Sequence, residues 1–309
     1  MKLPEEFVHV PEEFVGLMDM SWAENPASRP SIGYIKSLLH RHNKESDTGI
    51  MDTMVKKMES YTSNLEGLVA KRTHELDAEK KRTNELLYKM LPGLIANKMI
   101  NGDVIYPDNF ELVTIFFSDI VQFTRLASAS TPVQIIQFLN ELYSMFDDII
   151  STYDVYKVET IGDSYMVVSG APERNGDKHA GAISDMALHI MEKVDNFKIR
   201  HMPNSTLKLR IGIHTGPCCA GVVGTTMPRY CLYGDTVITA ARMESHGQEQ
   251  KIHISEPTAV LLKILGTYQV EQRGAMEIKG KGKMMTYWLE GNRTKGTNRR
   301  IGHPDIVSM

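Results

Sequence analysis

The segment ELVTIFFSDIV (residues 111–121) decides the fold, because its β-branched and aromatic residues predict a strand. The pattern of TPVQIIQFLNELYSMFDDIISTY (131–153) predicts a helix, and YKVETIGDSYMVVSG (156–170) predicts two strands joined by a tight turn. A second helix, over roughly residues 177–197, precedes the strand LKLRIGIHTG (207–216). The order β-α-β-β-α-β is that of the split βαβ, ferredoxin-like arrangement, so the predicted fold class is α+β.

The composition excludes several classes of protein. With 309 residues, 42% of them hydrophobic, and a net charge of −3, the chain can bury a core and lacks the basic excess of a nucleic-acid-binding protein. Its three cysteines, Cys218, Cys219 and Cys231, form no disulfide framework and favour a reducing compartment. The sequence has no apolar run of membrane-spanning length and no signal peptide at its acidic N-terminus, so we expect a cytoplasmic chain.

Four segments are predicted along the chain. Residues 1–43 contain Trp, Asn-Pro and Arg-Pro followed by IGYIKSLL, a pattern similar to the last helices of a protein kinase, although every catalytic kinase motif is absent. Residues 44–92 predict a coiled-coil helix, residues 93–291 a globular domain, and residues 292–309 a disordered tail.

A heptad seam supports the coiled-coil prediction. Six apolar residues step by three and four, as in a parallel coiled-coil dimer rather than a lone solvated helix: Met51, Met54, Met58, Tyr61, Leu65 and Leu68. The next seam positions, Arg72 and Glu75, are polar. This break predicts a helix that relays rotation or register rather than a permanent dimer contact.

Two aspartates lie where strands are predicted to end. Asp119 closes the first strand, and Asp163 follows Gly162 in the hairpin turn. In neighbouring strands, these carboxylates and a strand-end carbonyl such as that of Ile120 would suit Mg²⁺, which shares oxygen ligands with phosphates. Aspartates at strand ends are common, however, and the pattern alone favours a structural role. No phosphate-binding glycine motif accompanies it, and His214 is expected to be a structural histidine.

Six strings of the sequence together resemble the catalytic domain of receptor-type membrane guanylyl cyclases. They are FFSDIVQFT (116–124), DVYKVETIGDSYMVVSGAPERNG (154–176), LRIGIHTGP (209–217), MPRYCLYGDTV (227–237), RMES (242–245) and KGKGKMMTYWLEG (279–291). The kinase-like segment and the coiled coil occur in the same order in that family. The resemblance implies a class III nucleotidyl cyclase domain that converts GTP to cyclic GMP and pyrophosphate with two Mg²⁺ or Mn²⁺ ions.

The resemblance also assigns roles to individual residues. In that family the active sites form between two catalytic domains, each of which contributes a different half. It implies metal binding by Asp119, Ile120 and Asp163, guanine recognition by Glu159 and Cys231, phosphate stabilisation by Arg242, and phosphate contact by Lys279 or Lys281. Adenylyl cyclases carry a lysine and usually an aspartate at the two base-reading positions, so Glu159 favours GTP.

Departures from the family pattern leave the activity open. Ile238 replaces the asparagine that orients the ribose, and Gln122 replaces a glycine; the smaller changes are Ser164, Ala241 and the pair Thr225-Thr226. Isoleucine forms no hydrogen bond, so we expect a homodimer to be impaired and a heterodimer to keep one intact site. Two alternatives remain: a weak or inactive dimerising subunit that regulates or completes a partner cyclase, and a nucleotidyl cyclase with relaxed or adenylate preference, which Glu159 disfavours. The sequence of the helix that starts near Gly234 predicts Asp235 or Thr236 as its N-cap.

Overall fold

A computed structural model of the chain describes residues 12–42, 50–294 and 297–298. The chain divides into two compact units; the first ends at Lys81 and the second begins at Arg82. The helices that begin in the first unit are α1 (Glu12–Ser21), a 3-10 turn (Pro26–Ser28), α2 (Ile32–His42) and α3 (Ile50–Met90). Parts of the predicted kinase-like segment, of the predicted coiled coil and of the predicted tail lie outside the described residues: 1–11, 43–49, 295–296 and 299–309.

Helix α3 contains the predicted heptad seam. It is a single helix of 41 residues, and the six seam side chains are between 44% and 72% exposed. A helix with a continuous apolar stripe that its own chain leaves exposed fits a coiled coil. Within the described ranges, no helix has the length and apolarity that a membrane crossing requires.

The second unit is a mixed α+β domain. Its helices are α4 (Gly93–Asn101), α5 (Phe123–Ser128), α6 (Pro132–Ile150), α7 (Lys178–Asp195), α8 (Asp235–Ser245) and α9 (Glu256–Leu265). Its strands are β1 (Asp108–Ile120), β2 (Tyr156–Ile161), β3 (Ser164–Ser169), β4 (Leu209–Val223), β5 (Arg229–Tyr233), β6 (Ile252–Ser255), β7 (Tyr268–Ile278), β8 (Gly282–Asn292) and β9 (Thr297–Asn298).

The strands form one sheet in the order β2-β3-β1-β4-β6-β8-β7, with β5 paired to β4 and β9 to β8. The predicted β-α-β-β-α-β order is present as β1, α6, β2, β3, α7 and β4. Strand β3 lies between β1 and β2 and is antiparallel to both, which defines the split βαβ arrangement. The ferredoxin-like prediction is therefore confirmed.

The sheet separates two hydrophobic cores. Side chains of α6 and α7 pack on one face around Phe116 and Tyr165. The opposite core includes Ile115 of β1 and Ala240 of α8. Successive apolar residues of β1 are thus buried in alternate cores, as expected for a strand that is covered on both faces.

A glycine lets α8 lie directly on the sheet. A Cβ atom at Gly212 of β4 would lie 1.9 Å from the backbone nitrogen of Glu244 in α8. A Cβ at Gly216 would lie 2.6 Å from the Thr236 hydroxyl of the same helix. Only glycine permits this approach, and it fixes the position of α8 against the centre of the sheet.

Gln122, which replaces the family glycine, has a left-handed backbone. It follows β1 with φ 57° and ψ 33° and forms the N-terminal boundary of α5. This conformation costs an ordinary residue about 1–2 kcal/mol, and glycine adopts it without that cost. The backbone conformation explains why glycine suits this position.

We expect Gln122→Gly to stabilise the second unit. Relief of the left-handed strain is partly offset by the greater freedom of glycine in the unfolded chain, which leaves a gain of roughly 0.5–1 kcal/mol in the free energy of unfolding. Urea denaturation followed by circular dichroism measures this difference. Gln122→Ala is the matched control, because it keeps the Cβ atom and should bring no gain. Equal stabilisation by both variants would show that the backbone conformation is not the cause.

Candidate active site

Asp119 and Asp163 lie at the same end of the sheet. Asp119 is the penultimate residue of β1, and Asp163 lies in the turn between β2 and β3. The β1–β3 register places Ser118 opposite Tyr165, so Asp119 is adjacent to that turn. Burial, a hydrogen bond to Asp119 and the charge of Asp119 together raise the pKa of Asp163 to about 6. The two carboxyl groups are therefore close neighbours, as the strand pattern predicts.

Two charged residues that the sequence pattern did not single out complete this end of the sheet. Arg210 of β4 lies opposite Asp119, and its Nη2 donates to Oδ2 of Asp119 at 2.5 Å. The Nε of Arg210 lies 3.1 Å from Oε1 of Glu244, an ion pair without the alignment of a hydrogen bond. Burial raises the pKa of Glu244 to about 7, the charges of Asp119 and Asp163 add to the rise, and Arg210 opposes it.

Tyr143 of α6 holds the turn between β2 and β3 by a hydrogen bond. Its hydroxyl donates to the carbonyl oxygen of Gly162 at 3.0 Å. Burial raises the pKa of Tyr143 to about 12, followed by the charges of Asp163 and Asp119. This tyrosine stays protonated at neutral pH and acts as a donor that holds the turn.

The donor set at this end fits a divalent cation that is shared with a substrate. Within the described residues no group of three or more His, Cys, Asp or Glu side chains is arranged to hold a metal ion. The two carboxylates alone make an incomplete oxygen site, and a strand-end carbonyl such as that of Ile120 is the predicted third donor. Mg²⁺ commonly completes such sites with water and substrate phosphates. The charge of Asp119, which adds to the effect of burial on the pKa of Asp163, would be neutralised by a cation between the carboxylates.

Glu159 and Cys231 belong to a second group of residues. Glu159 follows a bulge in β2, a feature that turns a side chain relative to the regular pleat. Cys231 is half-buried on β5. Tyr233, two residues further along β5, has its pKa raised by the charge of Cys231, then by burial, by a hydrogen bond to Cys231 and by the charge of Glu159. The predicted base-reading residues therefore share one neighbourhood, and Tyr233 is an additional member of it.

Helix α8 carries Ile238 and Arg242 on its outward face. Ile238 is 56% exposed, and Arg242 lies one turn later on the same face. The opposite face is buried and includes Glu244, which lies beside Arg210. Among the described residues, the contacts found around Asp119 and Asp163 come from Arg210, Glu244 and Tyr143 rather than from Ile238 or Arg242.

The predicted N-cap of α8 is wrong. The helix begins at Asp235, and its N-cap is Gly234 with φ 139°, a position without a side-chain cap. The two predicted caps have other partners, because the Thr236 hydroxyl donates to the carbonyl oxygen of Pro217 at 2.6 Å and Asp235 forms an ion pair with Lys281. His214 is structural as predicted: it is buried, and its Nδ1 lies 2.6 Å from the Ser255 hydroxyl.

Lys279 and Lys281 lie at the tip of the β7–β8 hairpin. The backbone N–H of Lys281 donates to the carbonyl oxygen of Ile278 at 2.8 Å, and Gly280 between the lysines has φ 83°. Lys279 is exposed, whereas Lys281 is half-buried against Asp235. The two lysines therefore have different environments, which the sequence alone did not distinguish.

The family model of the adenylate and guanylate cyclase catalytic domain matches residues 105–291. The match extends from just before β1 almost to the end of β8 and includes each half-site residue. The chain belongs to the adenylate and guanylate cyclase catalytic-domain family.

Two human proteins and one solved domain illustrate the relationship. Atrial natriuretic peptide receptor 2 is 55% identical over 282 residues, which are 91% of this chain and 27% of that protein. Retinal guanylyl cyclase 1 is 50% identical over 295 residues, which are 95% of this chain and 27% of that protein. The guanylate cyclase domain of RhGC from Catenaria anguillulae, solved in complex with GTP, aligns with a TM-score of 0.57 and 43% identity over 60% of this chain and 99% of that domain.

These relationships confirm the predicted family, the class III cyclase fold and the assignment of a guanylate cyclase catalytic domain. Catalytic domains of this class use divalent metal ions. The chain spans 27% of the length of both curated relatives. The roles of the individual site residues and the segment boundaries remain predictions.

Proposed function

We propose that the chain converts GTP to 3′,5′-cyclic GMP and pyrophosphate in a site shared between two catalytic domains. The observation that supports this most is the arrangement of Asp119 and Asp163, a close carboxylate pair at a strand end. Its contacts come from its own chain, while Ile238 and Arg242 face outward on α8. A site assembled from two chains uses both surfaces: the carboxylates of one domain and the exposed face of α8 from the other.

Each half of the composite site has a chemical task. The ribose 3′-oxygen loses its proton and forms a bond to the α-phosphorus, while the bond from that phosphorus to the leaving pyrophosphate breaks. Asp119, Asp163 and the Ile120 carbonyl would hold two Mg²⁺ or Mn²⁺ ions, which supply charge neutralisation and activation of the attacking hydroxyl. Arg242 of the other domain stabilises charge on the transferring phosphate.

Base recognition falls to the neighbourhood of Glu159 and Cys231. The carboxylate of Glu159 can accept from N1–H and the 2-amino group of guanine, a donor pair that adenine lacks. The Cys231 thiol beside it is a weak donor of suitable size for the guanine O6. Because a site that pairs polar groups rejects a base that leaves them unpaired, this pocket favours GTP.

The rest of the chain fits a receptor cyclase. We propose that α3 pairs in parallel with the α3 of a second chain, either identical or from another guanylyl cyclase, and so brings two catalytic domains together. Residues 1–43 would be the end of a kinase-homology domain, and a full-length receptor would hold these segments at the cytoplasmic face of a membrane. A second candidate function, a weak or inactive subunit that completes a partner's site, is favoured by Ile238 alone.

The direct test is an assay of the purified chain for cyclic GMP with Mn²⁺-GTP, and for cyclic AMP with Mn²⁺-ATP. Product from GTP supports a cyclase. If the chain and Ile238→Asn both remain silent, also when mixed with an active cyclase domain, the regulatory subunit becomes the better description. Comparable turnover of both nucleotides would overturn the assignment of base preference.

The base pocket makes a separate prediction. Glu159→Lys combined with Cys231→Asp, in an Ile238→Asn background that gives measurable product, is expected to lower the GTP-to-ATP ratio of kcat/KM by about 10²-fold or more. The exchange removes the acceptor for the guanine N1–H and adds an acceptor for the adenine amino group. Cys219→Asp, which places the same charge on the adjacent strand β4, is the matched control. A ratio that stays within about threefold of the parent would place base recognition elsewhere.

A further inference from the structure

We propose that Asp235 is a positioning residue: its ion pair with Lys281 holds the tip of the β7–β8 hairpin against α8 and so presents Lys279, one of the two lysines that the resemblance assigns to phosphate contact, to the triphosphate. This inference rests on the proposed function, because it concerns the phosphate half of the same site. It links two elements that the sequence presents as separate: the N-terminus of α8 and the hairpin between Ile278 and Gly282.

The shape of the tip gives the two lysines different directions. Ile278 and Gly282 form the last pair of the β7–β8 ladder, and the three residues between them make the turn. Gly280 and Gly282 have φ of 83° and 73°, in the left-handed region that glycine favours. With Gly280 between them, Lys279 is exposed at the outermost position and Lys281 folds back toward the domain.

The ion pair ties the tip to α8. The Nζ of Lys281 contacts Oδ2 of Asp235, the first residue of α8, and the Lys281 side chain is only 23% exposed. Both charges also face the buried imidazole of His214. Burial lowers the pKa of His214 to about 4, with Asp235 opposing the shift and Lys281 adding to it. A neutral histidine backs the pair, and the three groups form one cluster.

The tie has one consequence for a bound triphosphate. It fixes the hairpin tip relative to the helix that carries Arg242, so the two cations predicted to meet phosphate come from elements that are joined. Lys281 is already committed to Asp235, whereas Lys279 has no side-chain partner among the contacts of the described residues.

A double-mutant cycle in the Ile238→Asn background tests this assignment. Lys281→Met and Asp235→Asn should each raise the KM for Mn²⁺-GTP by about three- to tenfold with a smaller change in kcat. The KM of the double variant should be at most about twice the higher of the two single-variant KM values, because both substitutions remove the same tie. Lys279→Met should raise KM by about tenfold or more, and in its presence Asp235→Asn should have little further effect, because the tie acts by positioning Lys279.

Controls separate the tie from direct phosphate contact. Lys283→Met changes an exposed lysine of the same hairpin and should leave KM within about twofold of its parent. The charge exchange Asp235→Lys with Lys281→Asp should recover part of the lost affinity. If Lys281→Met is far more damaging than Asp235→Asn, or if their effects multiply, Lys281 itself binds phosphate and the proposal is wrong.

A binding measurement keeps this test distinct from that of the proposed function. Fluorescence titration with mant-GTP and Mn²⁺ reports nucleotide affinity without turnover. If no cyclic GMP forms but Asp235→Asn and Lys281→Met weaken mant-GTP binding equally and non-additively, catalysis is absent and the tie is supported. If product forms and neither variant changes KM or mant-GTP affinity, the cyclase assignment stands and the tie is overturned.

Discussion

Ile238→Asn is expected to raise the rate of cyclic GMP formation by the purified chain about 10²–10³-fold. Ile238 is exposed on the outward face of α8, one turn before Arg242, at the position where the family places its ribose-orienting asparagine. An isoleucine can neither donate nor accept a hydrogen bond, so the ribose loses a contact that aligns its 3′-oxygen with the α-phosphorus. The measurement is kcat and KM for Mn²⁺-GTP.

Ile238→Ala separates the missing amide from the excess bulk. The gain of the asparagine variant should appear mainly in kcat, because alignment matters most as the new bond forms, and alanine should bring little of it. Equal gains from alanine and asparagine would make crowding the cause. A gain below about threefold from asparagine would show that Ile238 does not limit turnover.

Asp163→Asn and Arg242→Ala are each expected to reduce cyclic GMP formation by about 10³-fold or more, and mixing the two variants is expected to restore it. The first removes a carboxylate of the metal half, and the second removes the cation of the other half. In a mixed dimer one site combines both defects, and the other site combines both intact halves. Both variants are made in the Ile238→Asn background. With random pairing of equal amounts, half of the dimers are mixed and one of their two sites is intact, so about a quarter of the activity of the Ile238→Asn parent should return.

Pairing variants from the same half provides the control. Asp119→Asn mixed with Asp163→Asn should stay inactive, because every composite site then lacks a metal carboxylate. Size-exclusion chromatography with two differently tagged chains checks that mixed dimers form. If they form and Asp163→Asn with Arg242→Ala remains inactive, the site is not divided between chains in the proposed way.

The local patterns of the sequence determined much of the fold. Runs of β-branched and aromatic residues and the Gly162-Asp163 turn predicted β1, β2 and β3, and thereby placed Asp119 near Asp163. The bounds were less accurate: β4 extends to Val223 rather than to residue 216, because its pairing continues with β1 and β5. A strand ends where its partners end, which a single segment does not reveal.

The charged neighbours of the site could not be predicted in the same way. Arg210 meets Asp119 from a strand 91 residues away in sequence, and Glu244 reaches Arg210 only because Gly212 lets α8 lie on β4. The charged residue within an otherwise apolar strand was a signal for Arg210. Its partners depend on strand order, which sequence spacing does not encode.

Sequence by itself therefore determined the ferredoxin-like order, the long helix with its heptad seam and the family, and it supplied the predicted half-site residues, including the isoleucine at position 238. These are properties of local periodicity and of motif chemistry. Only the tertiary structure decided that Ile238 faces outward while Glu244 faces the chain's own carboxylates, and that Lys281 is committed to Asp235 while Lys279 is exposed. The physical reason is that the direction and the pairing of a side chain depend on what packs against its element, and those contacts join residues that are distant in sequence.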